Sequence, residues 1–172
     1  MINKPTSPKP DWEQRLADLW ASIDDHSETE FLARMEQLLA ELPADSAVAL
    51  YERASAFDST GHSDLAVPFY SQAIAIGDLG ERQRQAVIQL ASSLRNLGQA
   101  AESVALLTAE RERASDNLDD AVSAFLALAL VDSGREREAV SLALTALSHH
   151  MTRYRRSLSN YARLLLPDQL ED

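Results

Sequence analysis

The chain has 172 residues, of which 45% are hydrophobic and none is cysteine, and its formal net charge is −11. The absence of cysteine excludes disulfides, thiolate catalysis and cysteine-based zinc sites, and the acidic charge disfavours binding to nucleic acid. Because no apolar run reaches the length of a membrane span and the first residues do not form a secretory signal, we expect a cytoplasmic protein without a membrane partner.

The first ten residues, 1–10, are rich in proline and polar side chains, which predicts a flexible tail. Residues 11–44 predict an N-terminal helical hairpin. Its first helix begins at Asp11, a good N-cap residue, and continues with apolar residues at helical spacing. These apolar residues are Trp12, Leu16, Leu19, Trp20 and Ile23.

The second helix of the hairpin begins with a predicted capping box of Ser27 and Glu30, and Pro43 ends it. The two tryptophans of the first helix, Trp12 and Trp20, admit two interpretations. Such a stripe most often packs into the core of its own chain, but it can also anchor a second protomer.

Residues 45–150 contain three copies of one spacing, in which an alanine is followed seven residues later by a glycine and twelve residues later by a small residue. The copies are Ala54, Gly61, Ala66; Ala91, Gly98, Ser103; and Ala127, Gly134, Ala139. Successive copies are shifted by 37 and 36 residues, a period typical of stacked helix–turn–helix units. The predicted helices lie near 46–59, 63–76, 81–96, 100–114, 117–132 and 136–150.

Residues 151–172 predict a capping helix, over about 152–166, and a short tail. One face of this helix is predicted to be apolar and buried, which would cover the end of a stacked array. That face consists of Tyr154, Leu158, Tyr161, Ala162 and Leu165.

The three copies resemble the tetratricopeptide repeat, whose second helix carries an A-x3-F pattern. The corresponding runs here are Ala66-x3-Tyr70, Ser103-x3-Leu107 and Ala139-x3-Ala143. Residues 89–98 and 153–162 also look like an uncharacterised bacterial subgroup of this family. The resemblance implies an all-α, right-handed helical-repeat solenoid that acts as a protein-interaction module. Whether residues 11–43 form a degenerate fourth repeat stays open.

In a tetratricopeptide array the first helices line a concave groove, so residues one step around from the packing stripe are expected to bind a peptide or protein segment. These residues are Tyr51, Ser55, Asp58, Ile88, Ser92, Arg95, Asn96, Leu128 and Val131. Arg95 could bind a carboxylate of the ligand and Asn96 its backbone. Alternatively, Arg95 pairs with an acid of the chain itself, Asp58 or Asp132.

A second candidate surface is the basic face of the last helix, which consists of Arg153, Arg156, Asn160 and Arg163. Side chains at this spacing share one side of a helix, and they could bind an acidic segment or a phosphate. The alternative is that they pair with the acid excess of the chain or remain solvated.

These patterns predict a non-enzymatic scaffold or adaptor that binds a protein or peptide partner in its groove. The alternative function is a self-associating structural protein that forms a homodimer through its terminal helices. No cofactor or metal is expected, because the four histidines and the paired aspartates lack the spacing that metal binding or catalysis requires.

Overall fold

The computed structural model describes residues 11–166, so the predicted tail 1–10 lies outside the described residues. Within this range every regular secondary-structure element is a helix, which confirms the predicted all-α helical-repeat fold. Its helices are α1 (Trp12–Ala21), α2 (Glu28–Leu39), α3 (Ala47–Ser59), α4 (Ser63–Ile76), α5 (Arg82–Asn96), α6 (Ala100–Arg113), α7 (Asp119–Asp132), α8 (Glu136–His150) and α9 (Arg155–Arg163). A short 3-10 turn, Ile23–Asp25, follows α1.

The chain divides into two compact units, Met1–Ser93 and Leu94–Asp172, which we call the N-terminal and C-terminal units. In the N-terminal unit α1 packs on α2, α2 on α3, and α3 on α4. In the C-terminal unit α6 packs on α7, α7 on α8, and α8 on α9. Each unit therefore consists of antiparallel neighbours that follow one another along the chain, as the repeat spacing predicts.

The turns within the helical pairs are closed by glycine, as the sequence predicts. Gly61 has a φ of +89°, a left-handed conformation that a side chain would strain. The N–H of His62 donates to the carbonyl of Phe57 at 2.9 Å, the bond that defines a Schellman cap. Gly98 and Gly134 repeat this geometry in the other two turns.

The two predicted N-caps of the hairpin have different outcomes. Ser27 accepts a hydrogen bond from the backbone N–H of Glu30, which confirms the cap of α2. Asp11 does not cap α1: its backbone is left-handed, and its carboxylate faces Arg15 Nε at 3.3 Å instead. The prediction for Asp11 was wrong because a cap needs an extended backbone that brings the side chain over the first turn.

The hairpin shares its core with the first repeat. One hydrophobic cluster joins Trp12 and Phe31 to Ala49 and Ala56 of α3. Trp12 is 2% exposed, and Trp20 packs on Phe31 with a ring separation of 5.2 Å. Trp12 thus belongs to the core of the N-terminal unit, and Trp20 packs against that core while remaining partly exposed.

The last helix is shorter than predicted and packs differently. It begins at Arg155, because Tyr154 has a left-handed backbone, and it ends at Arg163. Ala162 is fully buried, but Tyr154 and Tyr161 are 75% and 67% exposed. The predicted burial of the two tyrosines was wrong, since the stripe that faces α8 is centred on Ala162 instead.

Candidate functional site

The N-terminal unit contains an open cleft of about 460 Å³ between α1, α3 and the start of α5. Its lining combines acidic, aromatic and amide side chains. They are Glu13, Leu16, Ala17, Trp20, Tyr51, Glu52, Glu81, Arg82 and Gln85. We call this the α1–α3–α5 cleft.

Three helices bring these side chains together, each for a local reason. The four residues from α1 are spaced three, one and three apart, so they form one stripe of that helix. Tyr51 and Glu52 lie on α3, whose start is fixed by the Ser46 cap. Arg82 and Gln85, three residues apart, occupy the first turn of α5. The cleft is therefore built on regular helices, which hold its side chains in defined positions.

A buried carboxylate forms the floor of the cleft. Glu52 is 5% exposed and accepts two hydrogen bonds, from Trp20 Nε1 at 3.0 Å and from Arg82 Nε at 2.9 Å. A terminal nitrogen of Arg82, Nη2, donates to Glu13 at the rim. One guanidinium thus links α5 to carboxylates on both α1 and α3.

Burial controls the protonation of this group. Loss of hydration raises the pKa of Glu52 above its usual range, although the indole of Trp20 and the charge of Arg82 oppose this rise. Burial also raises the pKa of Tyr51 to about 12, with a contribution from the charge of Glu52. Burial alone would lower the pKa of Arg82. The hydrogen bonds and negative charges of Glu13 and Glu52 have the larger effect, so the pKa is raised.

The Glu52 environment gives a pH prediction. A carboxyl with a raised pKa binds its proton more tightly in the folded state, so its contribution to the free energy of unfolding falls as pH rises above 4.5, its ordinary pKa. We therefore expect wild type to lose stability relative to Glu52→Gln as pH is raised above 4.5, as measured by urea unfolding followed by far-UV circular dichroism.

Both proteins share every other titratable group, so the difference between their unfolding free energies isolates Glu52. A difference that moves in favour of wild type as pH rises would mean that the ion pair with Arg82 outweighs burial. Glu138→Gln serves as the control: Arg135 lowers the pKa of this partly exposed carboxyl, so its contribution is lost as pH falls below 4.5 and stays nearly constant above it.

Most of the predicted groove residues of the N-terminal unit are buried, and two of them bond to glutamines of α5. Tyr51, Ser55 and Ile88 are buried, at 6%, 4% and 6% exposure. The hydroxyl of Tyr51 donates to Gln85 at 3.1 Å, and that of Ser55 donates to Gln89 at 3.3 Å. Ser55 and Ile88 are therefore buried within the unit and do not line a free surface, whereas Tyr51 also contributes to the cleft.

Two further predicted groove residues of this unit, Asp58 and Ser92, are half-buried. The Asp58 carboxylate accepts hydrogen bonds from Ser93 at 2.8 Å and from Ser63 at 3.0 Å. Both bonds fall on Oδ1, so one oxygen of this carboxylate is engaged within the unit. A ligand could reach Asp58 only at its remaining exposed edge.

In the C-terminal unit the predicted groove residues are more accessible. Leu128 and Val131 are each 46% exposed, and Asn96 is also exposed. Arg95 forms an ion pair with Asp132, in which Nε and the carboxylate oxygen lie 2.6 Å apart. This is the intramolecular pairing that the sequence left open, so a ligand carboxylate would have to compete with Asp132.

The basic face of the last helix is only partly assembled. Arg156, Asn160 and Arg163 share one side of α9, and Arg163 donates to the side chain of Asn160. Arg153 precedes the helix and does not belong to this face. Arg153 was assigned to this face because the helix was expected to start earlier. The left-handed backbone of Tyr154 delays the start of α9.

Sequence reasoning missed the acidic part of the cleft, Glu13, Glu52 and Glu81. One signal was present: α1 carries Glu13 in the same stripe as Leu16 and Trp20, so a charged residue continues an apolar face. The burial of Glu52 had no such signal, because the helix that contains it is buried on most sides.

The described residues 11–166 offer no cluster of three or more histidine, aspartate or glutamate side chains suited to a metal ion. Over the same range, no helix combines the length and the apolar character needed to cross a membrane.

Comparison with known proteins adds the family context. A family model described as the tetratrico peptide repeat matches residues 47–165, from the start of α3 to just beyond α9. No curated protein matches the sequence.

Two similar solved structures contain nearly identical TPR-like repeats of a candidate kinesin light chain from Podosopora anserina. The first, a single-residue variant, is 19% identical, with a TM-score of 0.68, and the match covers 91% of this chain and 87% of that chain. The second is 17% identical, with a TM-score of 0.65 and coverage of 95% and 100%. At these identities the likeness establishes the fold alone.

Proposed function

The chain belongs to the tetratricopeptide repeat family, and on this premise we propose that it is a non-enzymatic scaffold or adaptor in the cytoplasm. Repeats of this family generally serve as protein-interaction modules. The proposed ligand is an extended segment of a partner protein that lies in the α1–α3–α5 cleft.

The observation that carries this proposal is an open cleft with a fixed floor and an accessible rim. The floor is held by the hydrogen bonds that join Trp20, Arg82 and Glu52. The rim exposes Glu81 and Gln85. Because the floor is already ordered, a ligand would lose little free energy in arranging it.

The rim also supports a preference among ligands. An extended peptide presents backbone N–H and C=O groups, and the amide of Gln85 can both donate to and accept from them. The carboxylates of Glu13 and Glu81 favour a segment with basic or neutral side chains over an acidic one.

We extend the proposal to the accessible groove residues of the C-terminal unit. Leu128 and Val131 form an exposed apolar pair three residues apart on α7. We propose that they contact apolar side chains of a partner. Arg95 would contribute only after exchanging Asp132 for a carboxylate of the ligand.

Site-specific photo-crosslinking tests the cleft. A benzoylphenylalanine placed at Gln85 is expected to capture the partner in the native host, and mass spectrometry of the adduct identifies the captured protein. The matched control position is Gln72, which is also exposed but lies on α4, outside the cleft.

A second variant separates specific capture from chance. Adding Glu81→Arg to the Gln85 probe is expected to lower the adduct yield about tenfold, because it reverses the charge of the rim. Equal adducts at positions 85 and 72, or a yield indifferent to Glu81→Arg, would place the partner elsewhere. An adduct with a second copy of the chain would support the self-association alternative instead.

A further inference from the structure

We propose that the outward face of α9 is a docking surface for an acidic, amphipathic helix of a partner protein. By the outward face we mean an exposed apolar stripe, Tyr161 and Leu164, and the adjacent basic stripe, Arg156 and Arg163. All of these residues belong to the C-terminal unit, so this inference does not depend on the cleft of the N-terminal unit.

The repeat register indicates that this face lacks a partner helix. Ala162 of α9 lies 35 residues after Ala127 of α7, and both are buried small residues. With this shift, Tyr161 corresponds to Leu126 and Leu164 to Ala129. In α7 these two residues are buried, at 2% and 0% exposure, because α7 packs between α6 and α8.

In α9 the same register positions are uncovered. Tyr161 is 67% exposed and Leu164 is 48% exposed. Among the helices of the C-terminal unit, α9 packs on α8, and no described helix follows it. In the repeat, α7 packs between the helix before it and the helix after it. A single helix bound beside α9 would therefore take the place that α8 occupies beside α7.

Charge identifies the kind of helix that fits. Residues 151–166 contain four arginines and no acidic residue, in a chain whose net charge is −11. Within the part of the chain that the structure describes, no ion pair joins Arg156 or Arg163. A partner helix with leucine on one face and glutamate along its edges would cover the stripe and neutralise these arginines.

A second copy of the chain fits this surface less well. Pairing α9 with α9 of another copy would bring arginines together, which is repulsive. The N-terminal hairpin of another copy has the right charge, but no large hydrophobic side chain of α1, α2 or α3 is exposed to meet Tyr161 and Leu164. We therefore assign the surface to a different protein, and a second copy is an outcome of the test.

The test uses two synthetic helical peptides of about 20 residues, long enough for measurable helicity. Both carry leucine on one face; one has glutamate along the edges of that face and the other has lysine. Fluorescence anisotropy measures their binding to the full chain. The glutamate peptide is expected to bind at least about tenfold more tightly, and to weaken as salt is raised.

Three double variants locate the binding. Tyr161→Ser with Leu164→Ser should weaken the glutamate peptide about tenfold. Arg156→Glu with Arg163→Glu should reverse the preference in favour of the lysine peptide. The matched control, two serines in place of exposed apolar residues on α8, should leave binding unchanged; these residues are Val140 and Leu147, at 47% and 54% exposure.

Three outcomes would overturn the proposal. One is equal binding of the two peptides. Another is a loss of binding in the α8 control variant as large as that in the variant with serine at Tyr161 and Leu164. The third is a wild-type dimer in light scattering that becomes a monomer in the Tyr161→Ser variant, since a second copy would then occupy the surface. Circular dichroism spectra that match wild type ensure that each variant remains folded.

Discussion

Replacing Trp12 with alanine is expected to lower the free energy of unfolding by about 3–5 kcal/mol, the range for removing a large aromatic side chain from a core. Trp12 is 2% exposed and packs in the cluster that joins α1 and α2 to α3. Its indole N–H also donates to the backbone carbonyl of Leu38 at 3.0 Å. The substitution therefore leaves both a cavity and an acceptor without its donor.

Urea unfolding followed by circular dichroism measures this loss, and Trp12→Phe separates its two parts. Phenylalanine fills most of the cavity but cannot donate to Leu38, so it is expected to cost about 1–2 kcal/mol. A loss below about 1 kcal/mol for Trp12→Ala would contradict the shared core. It would mean that the hairpin unfolds independently of the first repeat.

The repeat fold was predictable because its constraints are local and occur three times. Gly61, Gly98 and Gly134 each mark a turn that requires a left-handed backbone, and each has a positive φ in the structure. The small residues seven positions before and five positions after each glycine lie where helices cross closely. Ala54 and Ala66, for example, are fully buried in the packed pair α3 and α4.

The cleft was not predictable because it depends on which faces of separate helices meet. A helical position one step from the packing stripe can face solvent or a neighbouring helix, and spacing alone does not distinguish the two. Ser55 shows the result: it is a predicted groove residue that bonds to Gln89 of α5. Glu52 shows the opposite case. A charged residue is expected to be exposed, because it is seldom buried unless partners satisfy it, yet Glu52 is buried.

The end of the chain was predicted incorrectly for a related reason. A capping helix was expected to bury its apolar face, so Tyr154 and Tyr161 were assigned to the buried stripe. The structure instead buries Ala162 against α8 and leaves both tyrosines exposed. The periodicity of α9 defines the stripes of the helix, but only the packing decides which stripe is covered.

Tyr70 offers a second large effect, at the position where the repeat pattern places an aromatic residue. It is fully buried, and its hydroxyl donates to Ser55, which in turn donates to Gln89. This chain of hydrogen bonds links α4, α3 and α5. Burial raises the pKa of Tyr70, so the phenol stays neutral and keeps its proton for Ser55.

Tyr70→Ala is expected to cost about 3–5 kcal/mol in unfolding free energy, because it opens a cavity among three helices. Tyr70→Phe keeps the ring and removes only the hydroxyl, so it should cost about 1 kcal/mol. Ser55 retains Gln89 as an acceptor in that variant, which limits the loss. If Tyr70→Phe proved as damaging as Tyr70→Ala, the polar chain through Ser55, and not the aromatic ring, would hold the first repeat together.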